Sequence, residues 1–153
     1  MTQIHRVAIL TPLVVGTCAV GCTIFIHALA LSAMVRVVRH QQKLGHVGTS
    51  FWIDVLIVML AMPFLLAAHL IEVALWAGLF IICREFTDFG TAYYHSAVNY
   101  TTLGYGDLIM TSSWRLLGPL EAANGALMFG VSTAIIFAVI QRLLETRFVD
   151  LRG

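Results

Sequence analysis

The sequence predicts an all-α membrane protein: three transmembrane helices, with a short re-entrant helix and an irregular loop between the second and the third. Three observations carry this. The chain has 153 residues, of which 59% are hydrophobic and only 11% charged, with a mean hydropathy of +0.90. Three apolar stretches, 7–35, 51–82 and 116–140, are each long enough to cross a bilayer. Between the last two lies Thr101-Thr102-Leu103-Gly104-Tyr105-Gly106-Asp107, too rich in Gly and polar groups to span. Irregular backbone at membrane depth survives only where protein buries it or where it lines a watery cavity. The combination points to a pore.

The first stretch forms a membrane helix with Pro12 expected in its first turn. A signal peptide is the competing reading, because Ala28-Leu29-Ala30 resembles a cleavage site. The apolar run continues past that site, and cleavage would leave Arg36, Arg39 and Lys43 outside, so the helix reading is preferred. Thr17, Cys18, Gly21 and Cys22 offer a small-residue patch for close helix contact. His27 lies mid-span, either hydrogen-bonded at a helix contact or acting as a proton sensor. The stretch lacks an Arg or Lys at every third position, which speaks against voltage sensing of the Arg-rich kind.

Residues 36–50 carry Arg36, Arg39 and Lys43 and no acid, so the positive-inside rule puts them in the cytoplasm. The N-terminus, with His5 and Arg6, is then outside, and Arg142, Arg147 and Arg152 end inside. The second stretch has Trp52 at an interface, Asp54 near the helix start and Pro63 as a kink. His69 and Glu72, three apart, share a face. On the third stretch Glu121 reaches a similar depth. A buried polar network of His69, Glu72, Glu121 and Asn124 is expected behind the short helix, either with the two carboxylates sharing a proton or with each group simply satisfied by its neighbours. Residues 84–90 form a short external turn, in which Thr87 or Asp88 caps the short helix.

Net charge of +1 gives no case for a nucleic-acid partner. Cys18, Cys22 and Cys83 match no zinc spacing and no disulfide framework. No nucleophile–base pair stands out, and no cofactor is called for, so an enzyme is not expected.

The order Thr102, Gly104, Tyr105, Gly106 and Asp107, in a re-entrant context, resembles the selectivity filter of small prokaryotic potassium channels of the pore-loop superfamily. The resemblance covers residues 50–144. It implies a pore domain at 51–144, with outer helix 51–83, pore helix 91–101, filter 102–107 and inner helix 114–144. Residues 1–40 are then an extra N-terminal helix, 41–50 a cytoplasmic linker and 145–153 a cytoplasmic tail with no soluble ligand domain. Leu103 stands where Val is commoner in the family. By the resemblance, oxygens of Thr102, Leu103, Gly104 and Tyr105 replace the hydration shell of K+, the permeant ion rather than a cofactor. Gly104 and Gly106 take the backbone conformations that cost little only for glycine. Thr101, Asp107, Tyr94 and His95 support the filter: Tyr94 bonding to Asp107, and His95 standing near Tyr105 of the next subunit.

One filter strand per chain implies a homotetramer in the lipid of the inner membrane. Gly125 and Gly130 align with the family's inner-helix glycines; Gly125 is a hinge or a close-packing residue. The expected pore-facing stripe is Ala126, Phe129 or Gly130, Thr133 and Phe137, with four Phe137 rings as a hydrophobic gate. Two alternatives stand beside this reading: a less selective cation channel, and a non-conducting subunit of a channel assembly.

Overall fold

The computed structural model describes residues 2–45 and 50–150, with side chains for 9–45 and 50–145. The flanking residues His5, Arg6, Arg147 and Arg152 lie outside the described side chains. The order is α1 (Thr2–Lys43), α2 (Phe51–Ile82), α3 (Phe89–Tyr100) and α4 (Leu117–Asp150). Three of these are long and apolar enough to cross a membrane, over Ile9–Lys43, Phe51–Ile82 and Leu117–Glu145. The protein is all-α, as its composition requires.

Each long helix is apolar nearly all round, as expected of a helix whose outer face meets lipid rather than water. Leu10, Val14, Ile24, Phe25, Trp52, Met59 and Leu66 all point outward. What distinguishes the inner face is small and polar residues. On α1 the buried positions are Pro12, Gly16, Ala19, Thr23, His27, Met34 and Val38, at steps of three, four or seven. A Cβ on Gly16 would come within 2.6 Å of the Leu120 side chain, so glycine lets α1 approach the start of α4. Within the chain the small patch is not at the contact: Thr17, Cys18, Gly21 and Cys22 are exposed, and the polar Thr23 and His27 mark the face that packs on α2 and α4.

Helix bounds shift along the chain: the short helix runs Phe89–Tyr100 rather than 91–101, because Asp88 caps it, and the last long helix begins at Leu117 rather than at 114. α1 runs through Lys43, so the basic residues Arg36, Arg39 and Lys43 extend the helix and the connection to Phe51 shortens. Pro12 lies inside α1 rather than in its first turn. Pro119 does fall in the first turn of α4, where its missing N–H has no intrahelical partner to lose.

α1 packs on both α2 and α4, and α3 is wedged between α2 and α4. Two apolar clusters result. One surrounds α3 and contains Trp76, Phe80, Tyr100, Leu117 and Met128. The other, toward the opposite ends of the long helices, contains Met34, Val38, Leu65, Val139 and Leu143. A polar layer lies beside α3's C-terminal end.

Candidate functional site: the re-entrant helix, its loop and the polar layer behind it

α3 starts where a side chain replaces missing backbone partners. Asp88 caps it: Oδ2 accepts from the Thr91 N–H at 2.8 Å and from the Thr91 hydroxyl at 3.1 Å. These bonds hold the Asp88 carboxyl below the usual carboxylate range. The helix then runs twelve residues and stops at Tyr100. Its carbonyl end, the negative pole of its dipole, leads directly into the loop.

Past Tyr100 the chain changes hand residue by residue. Thr102, Gly104 and Gly106 have φ of 60°, 60° and 73°. Two of the three are glycines, for which this region is unstrained. The third, Thr102, is β-branched and was not anticipated there. It is held by bonds on both sides: its N–H donates to the Asn99 carbonyl at 2.8 Å, and Leu103 and Gly104 N–H groups donate to the Val98 carbonyl at 3.0 and 3.2 Å. Residues 101–107 are all exposed on the single chain.

The loop is fastened from behind. The Tyr94 hydroxyl donates to Asp107 Oδ2 at 2.9 Å. Asn99 Nδ2 donates to His95 Nε2 at 2.9 Å, and the His95 ring packs against Phe80 and Phe86 with centroids 5.4 and 4.9 Å away. Burial there pulls the His95 imidazole below its usual range, against the opposing pull of Asp107 and Glu85. Beyond the loop, Glu85 accepts from the Thr111 N–H at 2.7 Å and from its hydroxyl at 2.6 Å. That ties the α2–α3 turn to the segment leaving the loop.

The buried polar layer is larger than expected and is divided in two. In the first part, His27 Nδ1 donates to Glu72 Oε1 at 2.8 Å, and the Tyr100 hydroxyl bonds to Glu72 Oε2. His69 Nδ1 lies 3.1 Å from the Tyr100 hydroxyl, and His69 Nε2 lies 3.0 Å from Ser132 Oγ. Ser132 Oγ is in turn 3.1 Å from His27 Nε2. Five side chains from four helices thus close a ring. Phe129 covers it, 4.4 Å from the His69 ring centroid. In the second part, Ser96 Oγ stands 2.5 Å from Glu121 Oε1 and 2.9 Å from the Val73 carbonyl, and the Thr23 hydroxyl donates to Asn124 Oδ1 at 3.1 Å.

His69 and Glu72 are therefore together as expected, but Glu121 and Asn124 have partners of their own. The two carboxylates make no direct bond that would share one proton. His27, Tyr100 and Ser132 were missed as members of the network. The available signal was spacing: Glu121, Asn124 and Ser132 fall on one helical face of an otherwise apolar segment, as do Thr23 and His27 on α1. Metal-binding spacing is also met, since donor atoms of His27, His69 and Glu72 lie within 4.8 Å of one another. Each of those side chains already bonds a protein neighbour, and a cation would have to displace those bonds.

α4 meets the end of α3 at a glycine. A Cβ on Gly125 would overlap the Tyr100 carbonyl oxygen, so the close-packing role is the one the geometry requires. Phe129 turns inward to the ring, which leaves Ala126, Gly130, Thr133 and Phe137 as an exposed stripe at steps of four, three and four. A Cβ on Gly130 would meet nothing within 4 Å.

A protein-family profile described as "ion channel" matches residues 68–142, a span that takes in the end of α2, all of α3, the loop and most of α4. No curated protein and no solved structure matches the chain.

Proposed function

We propose that the chain is the subunit of a potassium-selective channel, conducting K+ passively through a filter to which four copies each contribute residues 102–106. One observation carries the reading. The backbone at Thr102, Gly104 and Gly106 alternates in hand, in a Thr-Leu-Gly-Tyr-Gly segment that begins where a short helix ends. Alternation of this kind lets successive carbonyls face the same side, and stacked carbonyls can replace an ion's water. The match to an ion-channel family over residues 68–142 supports the transport class.

The other residues take supporting roles. Tyr94, Asp107, Thr101 and His95 hold the loop's shape from behind. The dipole of α3 favours a cation at its carbonyl end. Ala126, Gly130, Thr133 and Phe137 line the route below the filter, with Phe137 at its narrowest ring. The chain lies in the inner membrane with its N-terminus outside and its C-terminus in the cytoplasm. It requires no cofactor and does no covalent chemistry.

The test is K+ against Na+ flux through the purified protein in liposomes, with Gly104→Ala as control. K+-selective flux that disappears in the variant is expected. Equal Na+ flux would favour a less selective cation channel. Silence in both the native protein and a Phe137→Ala variant would favour a non-conducting subunit of a channel assembly.

A further inference from the structure

The closed ring of Glu72, His27, Ser132, His69 and Tyr100 has a property that follows from counting protons. A hydrogen bond needs one proton between its two heavy atoms. The ring has five contacts: Glu72–His27, His27–Ser132, Ser132–His69, His69–Tyr100 and Tyr100–Glu72. Tyr100 and Ser132 supply one hydroxyl proton each. Two neutral imidazoles supply one each. An ionised Glu72 supplies none. Four protons cannot fill five contacts, so one pair of lone pairs would be left facing each other among buried side chains.

From this we infer that the ring is a binding site for one additional proton, and that its closed form is electrically neutral. Two arrangements hold five protons. In one, a histidine is an imidazolium and Glu72 a carboxylate. With the charge on His27, both of its N–H groups donate, to Glu72 and to Ser132; Ser132 donates to His69, His69 to Tyr100 and Tyr100 to Glu72. In the other, Glu72 is a carboxylic acid that donates to Tyr100. Tyr100 then donates to His69, His69 to Ser132, Ser132 to His27, and His27 to Glu72. Both arrangements fill every contact, and both avoid a net charge where Glu72 is fully buried. A sixth proton would put two donors face to face. The ring therefore selects one protonation level, and Tyr100 and Ser132 keep their hydroxyl protons throughout.

The titratable groups facing the ring are few. His27 comes from α1, His69 and Glu72 from α2, and Tyr100 from α3. From α4 the nearest is Glu121, which bonds to Ser96 rather than to any member of the ring. The site also has a mechanical position. Tyr100 is the last residue of α3, and its carbonyl rests against Gly125. The proton thus binds where the extra helix α1, both other long helices and the end of the re-entrant helix meet.

The test is a proton count. The full chain, with 15N-labelled histidine rings and 13C-labelled glutamate carboxyls, is placed in bilayers near neutral pH and read by solid-state NMR. The His27 and His69 rings and the Glu72 carboxyl together should carry three protons. A total of two or of four overturns the proposal. Ser132→Ala gives a second arm that removes no titratable group. Without Ser132 the three remaining contacts need only three protons, which Tyr100 and two neutral imidazoles supply. The extra proton should then bind about tenfold more weakly. An unchanged titration in Ser132→Ala overturns the proposal. In Glu72→Gln the amide supplies the missing donor, and the two rings together should hold two protons near neutral pH; a count of three overturns the proposal. Glu121→Gln should leave the count at three, and a changed count would place the proton outside the ring. None of these readouts requires ion flux, so a silent channel would leave the count standing.

Discussion

The Tyr94 hydroxyl and the Asp107 carboxylate meet at 2.9 Å, joining the flank of α3 to the residue that ends the Gly-rich loop. They are thirteen residues apart and bracket the whole irregular segment. The bond also raises the Tyr94 hydroxyl's pKa, because an ionised phenol would face the carboxylate. Tyr94→Phe keeps the ring and removes the donor. Under the proposed channel function, its expected effect is a several-fold faster decay of ion flux with little change in melting temperature. A flux time course equal to that of the native protein would show that the loop holds its shape without this bond.

Gly125 and Gly130 lie five residues apart on one helix, yet they should respond oppositely to the same change. Gly125→Ala drives a methyl into the Tyr100 carbonyl and should destabilise the protein by about 3 kcal/mol, read as a lowered thermal midpoint. Gly130→Ala meets open space and gains helix propensity, so it should stabilise by up to ~1 kcal/mol. Equal effects at the two sites would show that α4 does not rest on the end of α3 as described.

Glu85 accepts two bonds from Thr111 and closes the turn over the exit of the loop. These are charge-assisted but exposed, so their value is discounted for solvent. Glu85→Ala should cost about 1 to 2 kcal/mol, measured in the same melts. Thr111→Val removes only the hydroxyl bond and should cost less than Glu85→Ala. If Thr111→Val cost as much, the backbone bond would be contributing nothing.

Asp88 sets an acid limit on the start of α3. Its carboxyl is held below its ordinary value in the folded chain. The stabilisation is therefore complete above the unfolded value, near pH 4, and is lost as pH falls through the lower folded value. Asp88→Asn retains a capping side chain without the titration. The native protein should lose thermal stability below about pH 4 relative to Asp88→Asn. Parallel curves for the two proteins would move the acid sensitivity elsewhere.

The three long helices and the break between them were legible in the sequence because hydropathy reports burial in lipid directly. The Asp88 cap was one of two neighbouring candidates that local spacing offered, and the Tyr94–Asp107 pairing was implied by the loop's resemblance to a potassium-channel filter. The composition of the polar layer was not. Glu72 and Glu121 look alike as isolated carboxylates in apolar helices, and only the rotation of each helix decides that one meets His27 and the other Ser96. The face of α1 that packs within the chain was not legible for the same reason. Small residues mark a contact when nothing else competes, but Thr23 and His27 are more expensive to leave in lipid than Cys18 or Gly21, and they fixed the rotation. Thr102 was missed because propensity argues against left-handed backbone at a β-branched residue, and the bonds that hold it there come from tertiary placement.

The ring draws one member from α1, two from α2, one from α3 and the last from α4, with His27 and Ser132 105 positions apart. During synthesis the first two helices reach the bilayer well before the fourth exists. Until Ser132 arrives, the two imidazoles have no common partner, and their buried nitrogens and the Glu72 carboxylate are groups a membrane does not tolerate alone. A chain truncated before residue 132, or one whose α4 inserts out of register, therefore leaves the Nε2 atoms of both imidazoles without their Ser132 partner. The same side chains that are silent in the finished protein would mark the unfinished one.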